Sequence, residues 1–223
     1  GLYLVEGGVM ATAEPVFESA AYGFDGDNLY LKVAFSDDVD EILGDGELEI
    51  YLSVPGSDPA ASFSDGGSLL GFPAQRQLEI SLVEGTLQAI MVGVADGIWA
   101  AESVALEQVA AGERVLEMAI PLAQLNGADV GDRLAIRAIF AETVEAGGET
   151  TIVEHARVPG GGPGVIVVPD LGNVTVVLQV NDPLSDDYGP GSYTYAEDPV
   201  FTPGSFDIDT FQVGFDEESI IFK

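Results

Sequence analysis

Hydrophobic and polar residues alternate with a period of two along most of the chain. Between residues 29 and 35, leucine, valine and phenylalanine take the odd positions, while Tyr30, Lys32 and Ala34 take the even ones. The same alternation recurs at residues 48–54, 78–82, 87–91, 116–120, 134–140 and 174–180. Successive side chains of a strand point to opposite faces of its sheet, so the pattern predicts about ten half-buried strands, with a hairpin turn at Glu84-Gly85.

Helical spacing is almost absent. Residues 121–127 begin with proline and end with glycine, which is typical of one short helical turn. Residues 56–71 are rich in Ser, Asp and Gly and predict a long loop that could frame a surface site. Together these patterns predict an all-β fold, an antiparallel β-sandwich with jelly-roll-like connections and one short helical turn.

The last part of the chain is organised differently. We expect the sandwich to span residues 1–181, and residues 182–223 to form a C-terminal extension with two strand-like pieces, 206–215 and 219–222. Such a short segment cannot bury a core alone, so it must dock on another surface. It packs on its own sandwich, begins a second domain, or pairs with another chain.

Acidic residues dominate the charge of the protein. There are 38 acidic and 7 basic residues, which gives a formal net charge of −31. Nucleic acid and anionic membrane surfaces are therefore poor partners, and no apolar run approaches the length needed to span a bilayer. The chain has no cysteine, which excludes disulfides, thiolate metal sites and thiol catalysis. The excess acid indicates a solvated coat, cation sites, or both.

Calcium is the cation that the acidic C-terminal segment favours. Asp182, Asp186 and Asp187 lie close together, and the turn at 189–191 can add backbone carbonyls to the six to eight oxygen ligands that Ca²⁺ takes. The twelfth position from Asp182 is Tyr193, which excludes an EF-hand. The alternative is an acidic turn without an ion. Further candidate ligands are Asp198, Asp207 and Asp209, and a second, weaker cluster consists of Asp37, Asp38 and Asp40.

The sequence offers little for catalysis. The single histidine, His155, has no nucleophile-elbow pattern with it. Glycoside hydrolysis needs only two carboxylates, but they normally lie in a deep cleft that a small sandwich rarely provides. We therefore predict that the protein is not an enzyme.

Aromatic side chains give the candidate carbohydrate contacts, because sugar rings stack on exposed aromatic faces. The single tryptophan, Trp99, is the first candidate, and Tyr51 and Phe63 are expected near it in a loop-rich region. The alternative for Trp99 is packing in the core or at a sheet edge.

Two motifs carry a resemblance over roughly residues 1–180. Residues 22–33 read Tyr-Gly-Phe-Asp-Gly-Asp-Asn-Leu-Tyr-Leu-Lys-Val and precede Ser-Asp-Asp at 36–38, and residues 115–122 read Val-Leu-Glu-Met-Ala-Ile-Pro-Leu, followed by Gly-Asp-Arg-Leu at 131–134. This order resembles DOMON-like domains related to family 9 carbohydrate-binding modules, in which D-x-x-L-Y precedes an acidic loop and E-x-x-I-P leads into a helical turn. The two-tryptophan clamp of family 9 modules is not carried over, because this chain has only Trp99.

The C-terminal segment carries a second resemblance. Residues 182–195, Asp-Pro-x-x-Asp-Asp-x-Gly-Pro-Gly-x-Tyr-x-Tyr, with Asp-Pro-Val-Phe-x-Pro-Gly-x-Phe-Asp at 198–207, are similar to the opening of the C-terminal module of glucodextranases and amylopullulanases. That module is associated with surface layers and carbohydrate. The two resemblances imply a non-catalytic accessory module, extracellular or at the cell surface, that belongs to a polysaccharide-active or cell-surface protein and has polysaccharide or oligosaccharide as a partner.

A structural role is the alternative. If the C-terminal strands pair with a neighbouring copy, each subunit completes the next, and a contact that does not close generates a surface layer or filament. Calcium at the junction would offset the repulsion between such acidic subunits. The residues expected to assemble this homopolymer are Phe206, Ile208, Phe211, Val213, Ile220 and Phe222.

Overall fold

The computed structural model describes residues 16–25, 27–57, 59–99, 103–146, 149–168, 175–181, 210–215 and 220–222. These residues form strands β1–β17, helix α1 and one 3₁₀ helix. The strands of the first half are Phe17–Phe24, Asn28–Phe35, Glu47–Leu52, Ala61–Phe63, Leu69–Ala74, Arg76–Val83, Thr86–Ala95, Ile98–Trp99 and Val104–Ala105 (β1–β9). The strands of the second half are Val109–Ala111, Val115–Pro121, Arg133–Ala146, Glu149–Val158, Gly164–Val167, Thr175–Asn181, Thr210–Phe215 and Ile220–Phe222 (β10–β17). Helix α1 is Val39–Asp45, and the 3₁₀ helix is Leu122–Leu125.

Two antiparallel sheets form the sandwich. The four-stranded sheet has the order β1-β2-β11-β10. The eight-stranded sheet has the order β13-β12-β3-β6-β7-β8, with β14 also paired to β12 and β9 also paired to β7. Every strand pair is antiparallel, which confirms the predicted all-β sandwich.

The core lies between these sheets and is built from the alternating apolar positions. Leu29 and Leu31 of β2 belong to the same buried cluster as Leu48 and Ile50 of β3. Leu29 and Leu48 are fully buried. Burying a side chain of this size stabilises the fold by about 1.5–3 kcal/mol, so the alternation at these positions accounts for the joining of the sheets.

The predicted hairpin turn and the predicted helical turn are both present in the structure. Glu84 and Gly85 connect β6 to β7 with φ values of 51° and 74°, and positive φ at both central residues defines the type I′ turn favoured in tight hairpins. The 3₁₀ helix falls within the predicted helical turn, and Asn126 ends it in the left-handed conformation.

Helix α1 was not predicted from the sequence. Its carboxylate cap is Asp38, whose side chain accepts a hydrogen bond from the backbone N–H of Asp40 at 2.9 Å. Only Val39 and Leu43, four positions apart, are buried. Three apolar residues in seven positions, two of them buried, give too little periodicity to distinguish a short helix from an acidic loop.

The long loop expected at 56–71 contains a small hairpin instead. Strands β4 and β5 pair with each other, and Leu70 and Phe72 of β5 pack on Tyr51 and Ile139, on the outer face of the eight-stranded sheet. Strand β3 is therefore buried on both faces, and its predicted half-buried character is wrong. The face of β3 that the alternation assigns to solvent is covered by the β4–β5 hairpin, and this is a tertiary contact that the local sequence pattern does not show.

The C-terminal strands form a separate three-stranded sheet of order β15-β16-β17. The strand at 174–180 was expected to belong to the sandwich, but β15 pairs with β16 from Thr175 to Asn181. In the described residues, β15 thus pairs with a C-terminal strand and with no strand of the sandwich, and the domain boundary at 181 stays a prediction. Alternation alone identified this strand but not its partner.

Candidate functional site

The structure brings the three predicted carbohydrate contacts together. The ring centroids of Tyr51 and Trp99 lie 5.2 Å apart, and Trp99 Nε1 donates a hydrogen bond to the carbonyl oxygen of Phe63 at 3.0 Å. Tyr51 is fully buried, whereas Phe63 is 55% exposed and Leu69, opposite it in the hairpin, is 59% exposed. Phe63, half-buried Trp99 and the neighbouring Leu69 form one surface, which we call the aromatic patch after its two aromatic side chains. Tyr51 lies beneath it.

A buried polar network holds the β4–β5 hairpin over the sheet. The Tyr51 hydroxyl donates to Glu49 Oε2 at 2.7 Å. It accepts hydrogen bonds from Gln77 Nε2 at 3.2 Å and from the backbone N–H of Asp65 at 3.0 Å. Because Asp65 lies between β4 and β5, this hydroxyl connects the hairpin to the sheet. The network fixes the position of the aromatic patch from below.

Carboxylates crowd this network. Glu49 is only 1% exposed and lies directly opposite Glu79 in the sheet. Burial, together with the charges of Glu47, Asp65 and Glu79, raises the pKa of Glu49 to about 7, although the hydrogen bond from Tyr51 opposes the rise. Burial, with repulsion from Asp65, also raises the pKa values of Glu47 and Glu79. Ionisation of Glu49 therefore weakens the structure beneath the patch.

Two arginines tie the other side of the hairpin. Arg137 is 3% exposed and donates to the carbonyl oxygens of Leu69 at 3.4 Å and Gly161 at 2.5 Å. Arg157 donates to the same Leu69 carbonyl at 3.2 Å and forms an ion pair with Glu154. Burial lowers the pKa of Arg137, and the neighbouring Arg157 lowers it further. Neither arginine was predicted as a functional residue, because nothing in their local spacing indicates that both donate to the same carbonyl oxygen.

A second surface lies on the outer face of the four-stranded sheet, where a groove of about 430 Å³ surrounds Tyr30. We call it the Tyr30 groove. Gly23 and Ala119 are the register partners of Tyr30 on either side, so small residues flank the ring. The alternation in β2 had placed Tyr30 on the solvent face. The groove itself could not be predicted, because its walls come from β1, β10 and β11.

Polar side chains lie at two places along the Tyr30 groove. At one end the Tyr30 hydroxyl donates to Asp25 Oδ2 at 2.5 Å. Burial disfavours ionisation of Asp25, but hydrogen bonds from Tyr30, Asp27 and Asn28 together lower its pKa. The same hydrogen bond raises the pKa of Tyr30. Toward the middle of the sheet, Lys32 Nζ and Glu117 Oε1 form an exposed ion pair at 3.3 Å.

The predicted calcium ligands are divided between two regions. Asp37 and Asp38 accept backbone hydrogen bonds at the start of α1, from Asp38 and Asp40 respectively. In the part of the chain that the structure describes, no three His, Cys, Asp or Glu side chains gather as a metal-binding group. Asp182, Asp186, Asp187, Asp198, Asp207 and Asp209 lie outside the described residues, and calcium there stays a prediction.

Four of the six predicted assembly residues lie in strands of the C-terminal sheet. Phe211 is 40% exposed and Val213 is half-buried, both in β16. The backbones of Ile220 and Phe222 form β17, and Phe206 and Ile208 lie outside the described residues. Strand β16 is paired on both edges, with β15 and β17 of the same chain. These pairings are intramolecular, and they do not support strand exchange with another copy.

The single histidine lies on the surface. His155 Nε2 is 2.9 Å from Glu142 Oε2, and the two side chains are 41% and 44% exposed. A surface pair of this kind is largely solvated. Within the described residues, no helix is long and apolar enough to cross a membrane.

Comparison with known proteins gives one finding. A family model described as the C-terminal binding module, SLH-like, of glucodextranase matches residues 177–223. The match begins two residues after the start of β15, and it contains β16 and β17. It therefore covers most of β15 and all of β16 and β17. No curated protein and no solved structure matched the chain.

Proposed function

We propose that this chain is a non-catalytic, carbohydrate-associated accessory module of an extracellular or cell-surface protein, attached to polysaccharide through its C-terminal segment. One observation carries the proposal: residues 177–223 match a binding module of glucodextranase, and the described strands in that range, β15, β16 and β17, pair only with one another. The matched family is a binding module, so the proposal assigns binding rather than catalysis.

Exposed apolar side chains support an attachment role for this sheet. Leu178 and Val180 are each 48% exposed, and Phe211 is 40% exposed. Leu178 pairs with Val213 and Val180 pairs with Phe211, so these side chains share one face. A grouped apolar face that remains accessible is typical of an interaction surface.

The aromatic patch supports a carbohydrate contact on the sandwich. Phe63 presents an exposed ring, and Trp99 is held beside it by the hydrogen bond to the Phe63 carbonyl. Tyr51 positions Trp99 from below rather than contacting ligand, because its ring is buried. Rigid, oriented aromatic rings bind with little loss of conformational entropy.

We also propose that calcium stabilises residues 182–209. The supporting observation is the density of aspartate in a chain with a net charge of −31. A divalent cation there would offset local repulsion and favour an ordered path between β15 and β16.

The attachment role is tested by sedimentation of the whole protein with insoluble α-glucan and with purified bacterial cell wall. The Leu178→Ser/Val180→Ser double variant should lose most of its sedimentation, because it removes exposed apolar area from the C-terminal sheet. Val130→Ser is the matched control, since Val130 is 59% exposed on the sandwich. Far-UV circular dichroism establishes that each variant is folded. Equal sedimentation of the folded double variant and the control, or no sedimentation of the native protein, would contradict the proposal.

A further inference from the structure

We propose that the Tyr30 groove is a binding site for a neutral saccharide ring, separate from both the aromatic patch and the C-terminal segment. The inference rests on the proposed function for the class of ligand, which is carbohydrate. The location rests on the geometry of the four-stranded sheet. The site places a ligand-binding surface on β1, β2, β10 and β11, outside the residues that match a known binding module.

The shape of the groove follows from side-chain size. Gly23 and Ala119 stand beside Tyr30 in the two neighbouring strands. Ala21 and Ala110 continue the row of small residues along the groove. Tyr30 is half-buried, and because its register partners are a glycine and an alanine, no large side chain from those two positions covers its ring. The volume of about 430 Å³ is within the range of small-molecule sites.

The orientation of Tyr30 is fixed before any ligand arrives. Its hydroxyl donates to Asp25 at 2.5 Å, and Asp25 in turn accepts from the backbone N–H groups of Asp27 at 2.8 Å and Asn28 at 2.7 Å. The hydroxyl is thus engaged, and the ring is what remains available to a ligand. A ring held in one orientation loses little rotamer freedom on binding, so an apolar sugar face can stack on it at low entropic cost.

Charged groups beside the ring favour a polar, uncharged ligand. Lys32 and Glu117 are 53% and 62% exposed at the side chain and lie 3.3 Å apart. The lysine ammonium supplies three hydrogen-bond donors, and the glutamate carboxylate supplies only acceptors. A sugar hydroxyl both donates and accepts hydrogen bonds, so it can bind to either group. An apolar peptide or acyl chain would desolvate this ion pair without replacing its hydrogen bonds. Anionic ligands are opposed by Glu117, by Glu107 at the rim and by the net charge of −31.

The site is tested by ¹⁵N-edited NMR of the whole protein titrated with maltotriose, isomaltotriose and cellotriose. We expect at least one trisaccharide to shift the amide signals of Ala21, Gly23, Lys32 and Ala119. Tyr30→Ala should weaken that binding at least tenfold. Tyr30→Phe, which keeps the ring and removes the hydrogen bond to Asp25, should retain most of it. Val104→Ala, which truncates an exposed residue on the other sheet, should bind like the native protein.

The outcomes separate this inference from the proposed function. Shifts confined to Phe63, Ser64 and Trp99 would place the saccharide on the aromatic patch and overturn the groove. Absence of shifts with all three sugars would overturn the groove too, while sedimentation with polysaccharide through the C-terminal sheet would still stand. If Tyr30→Ala fails to fold, Ala119→Leu offers a second variant: filling the groove from β11 should reduce binding with Tyr30 intact, and unchanged binding would overturn the inference.

Discussion

The carboxylate of Glu49 accepts a hydrogen bond from the hydroxyl of Tyr51, 2.7 Å away, in a sheet face that the β4–β5 hairpin covers. Both side chains are buried, although they lie on the face of β3 that the alternation pattern assigns to solvent. The pair supports the hairpin and the aromatic patch above it. It also places an ionisable group where ionisation is unfavourable, which makes the stability of this region dependent on pH.

Stability should fall as pH rises from about 4.5 to about 7. The pKa of Glu49 is raised to about 7 from 4.5, chiefly by burial, so the native protein holds a proton over an interval in which the unfolded chain releases it. The stabilisation is complete below the unfolded pKa and is lost as pH rises through the folded pKa. The loss is about 3 kcal/mol. Urea unfolding at a series of pH values between 4 and 8 measures it.

Glu49→Gln should flatten this profile and raise the melting temperature at pH 8, because it removes a buried charge and keeps a hydrogen-bond acceptor for Tyr51. Glu145→Gln, which changes an exposed carboxylate at the end of β12, is the control and should leave the profile unchanged. If folded Glu49→Gln loses stability with rising pH as steeply as the native protein does, Glu49 is not the origin of the pH dependence.

Two glycines near α1 should respond in opposite ways to alanine. A Cβ at Gly46 would lie 2.4 Å from the carbonyl oxygen of Ala141 and 2.8 Å from Phe140 Cζ. We expect Gly46→Ala to destabilise the protein by about 2 kcal/mol or more, since β12 must move. Gly44 has open space and lies within α1, so Gly44→Ala should stabilise by about 0.5–1 kcal/mol. Thermal melting compares the two, and equal effects would contradict the packing at Gly46.

Arg137→Met should destabilise the protein by about 1 kcal/mol, because its hydrogen bonds to the carbonyl oxygens of Leu69 and Gly161 are lost. Arg157 still donates to Leu69, which limits the damage to the hairpin. Lys32→Met breaks an exposed ion pair and should change stability by less than about 0.5 kcal/mol. Urea denaturation of the three proteins tests the difference. Similar small losses in both variants would show that Arg137 is not structurally important.

Calcium should raise the melting temperature by several degrees relative to a chelator. An ion that binds only the native state stabilises it by mass action, and the acidic segment 182–209 is where we propose that it binds. Asp186→Asn/Asp187→Asn should abolish the difference, whereas Asp37→Asn, at the start of α1, should retain it. Identical melting curves with calcium and with chelator would refute the proposed site. Magnesium at the same concentration controls for ionic strength.

Phe63→Ala should reduce affinity for α-glucan without a measurable loss of stability. Phe63 is 55% exposed, and the hydrogen bond from Trp99 goes to its backbone carbonyl, which alanine keeps. The hairpin should therefore remain in place while the exposed ring is lost. Isothermal titration calorimetry measures affinity, and fluorescence of Trp99, the single tryptophan, reports whether the patch is intact. Unchanged affinity would remove the patch from the proposed binding surface.

Much of the fold could be predicted from local sequence because the deciding physics is local. Alternation assigned Leu29, Leu31, Leu48 and Ile50 to the core, since strand geometry alone sends successive side chains to opposite faces. The positive φ values at Glu84 and Gly85 likewise follow from the demands of a two-residue turn. Helix α1 escaped prediction because seven residues with two buried positions carry too weak a pattern.

The candidate sites depended on contacts that local pattern does not contain. The sequence named Trp99, Tyr51 and Phe63 together, but only the hairpin showed that Tyr51 lies beneath the other two. It placed Tyr30 on a solvent face, but Gly23 and Ala119 join it only through strand pairing. The sequence by itself thus determined which residues alternate into the core. The tertiary structure decided which polar faces stay exposed and which strand β15 joins, because these depend on what distant segments cover or pair with.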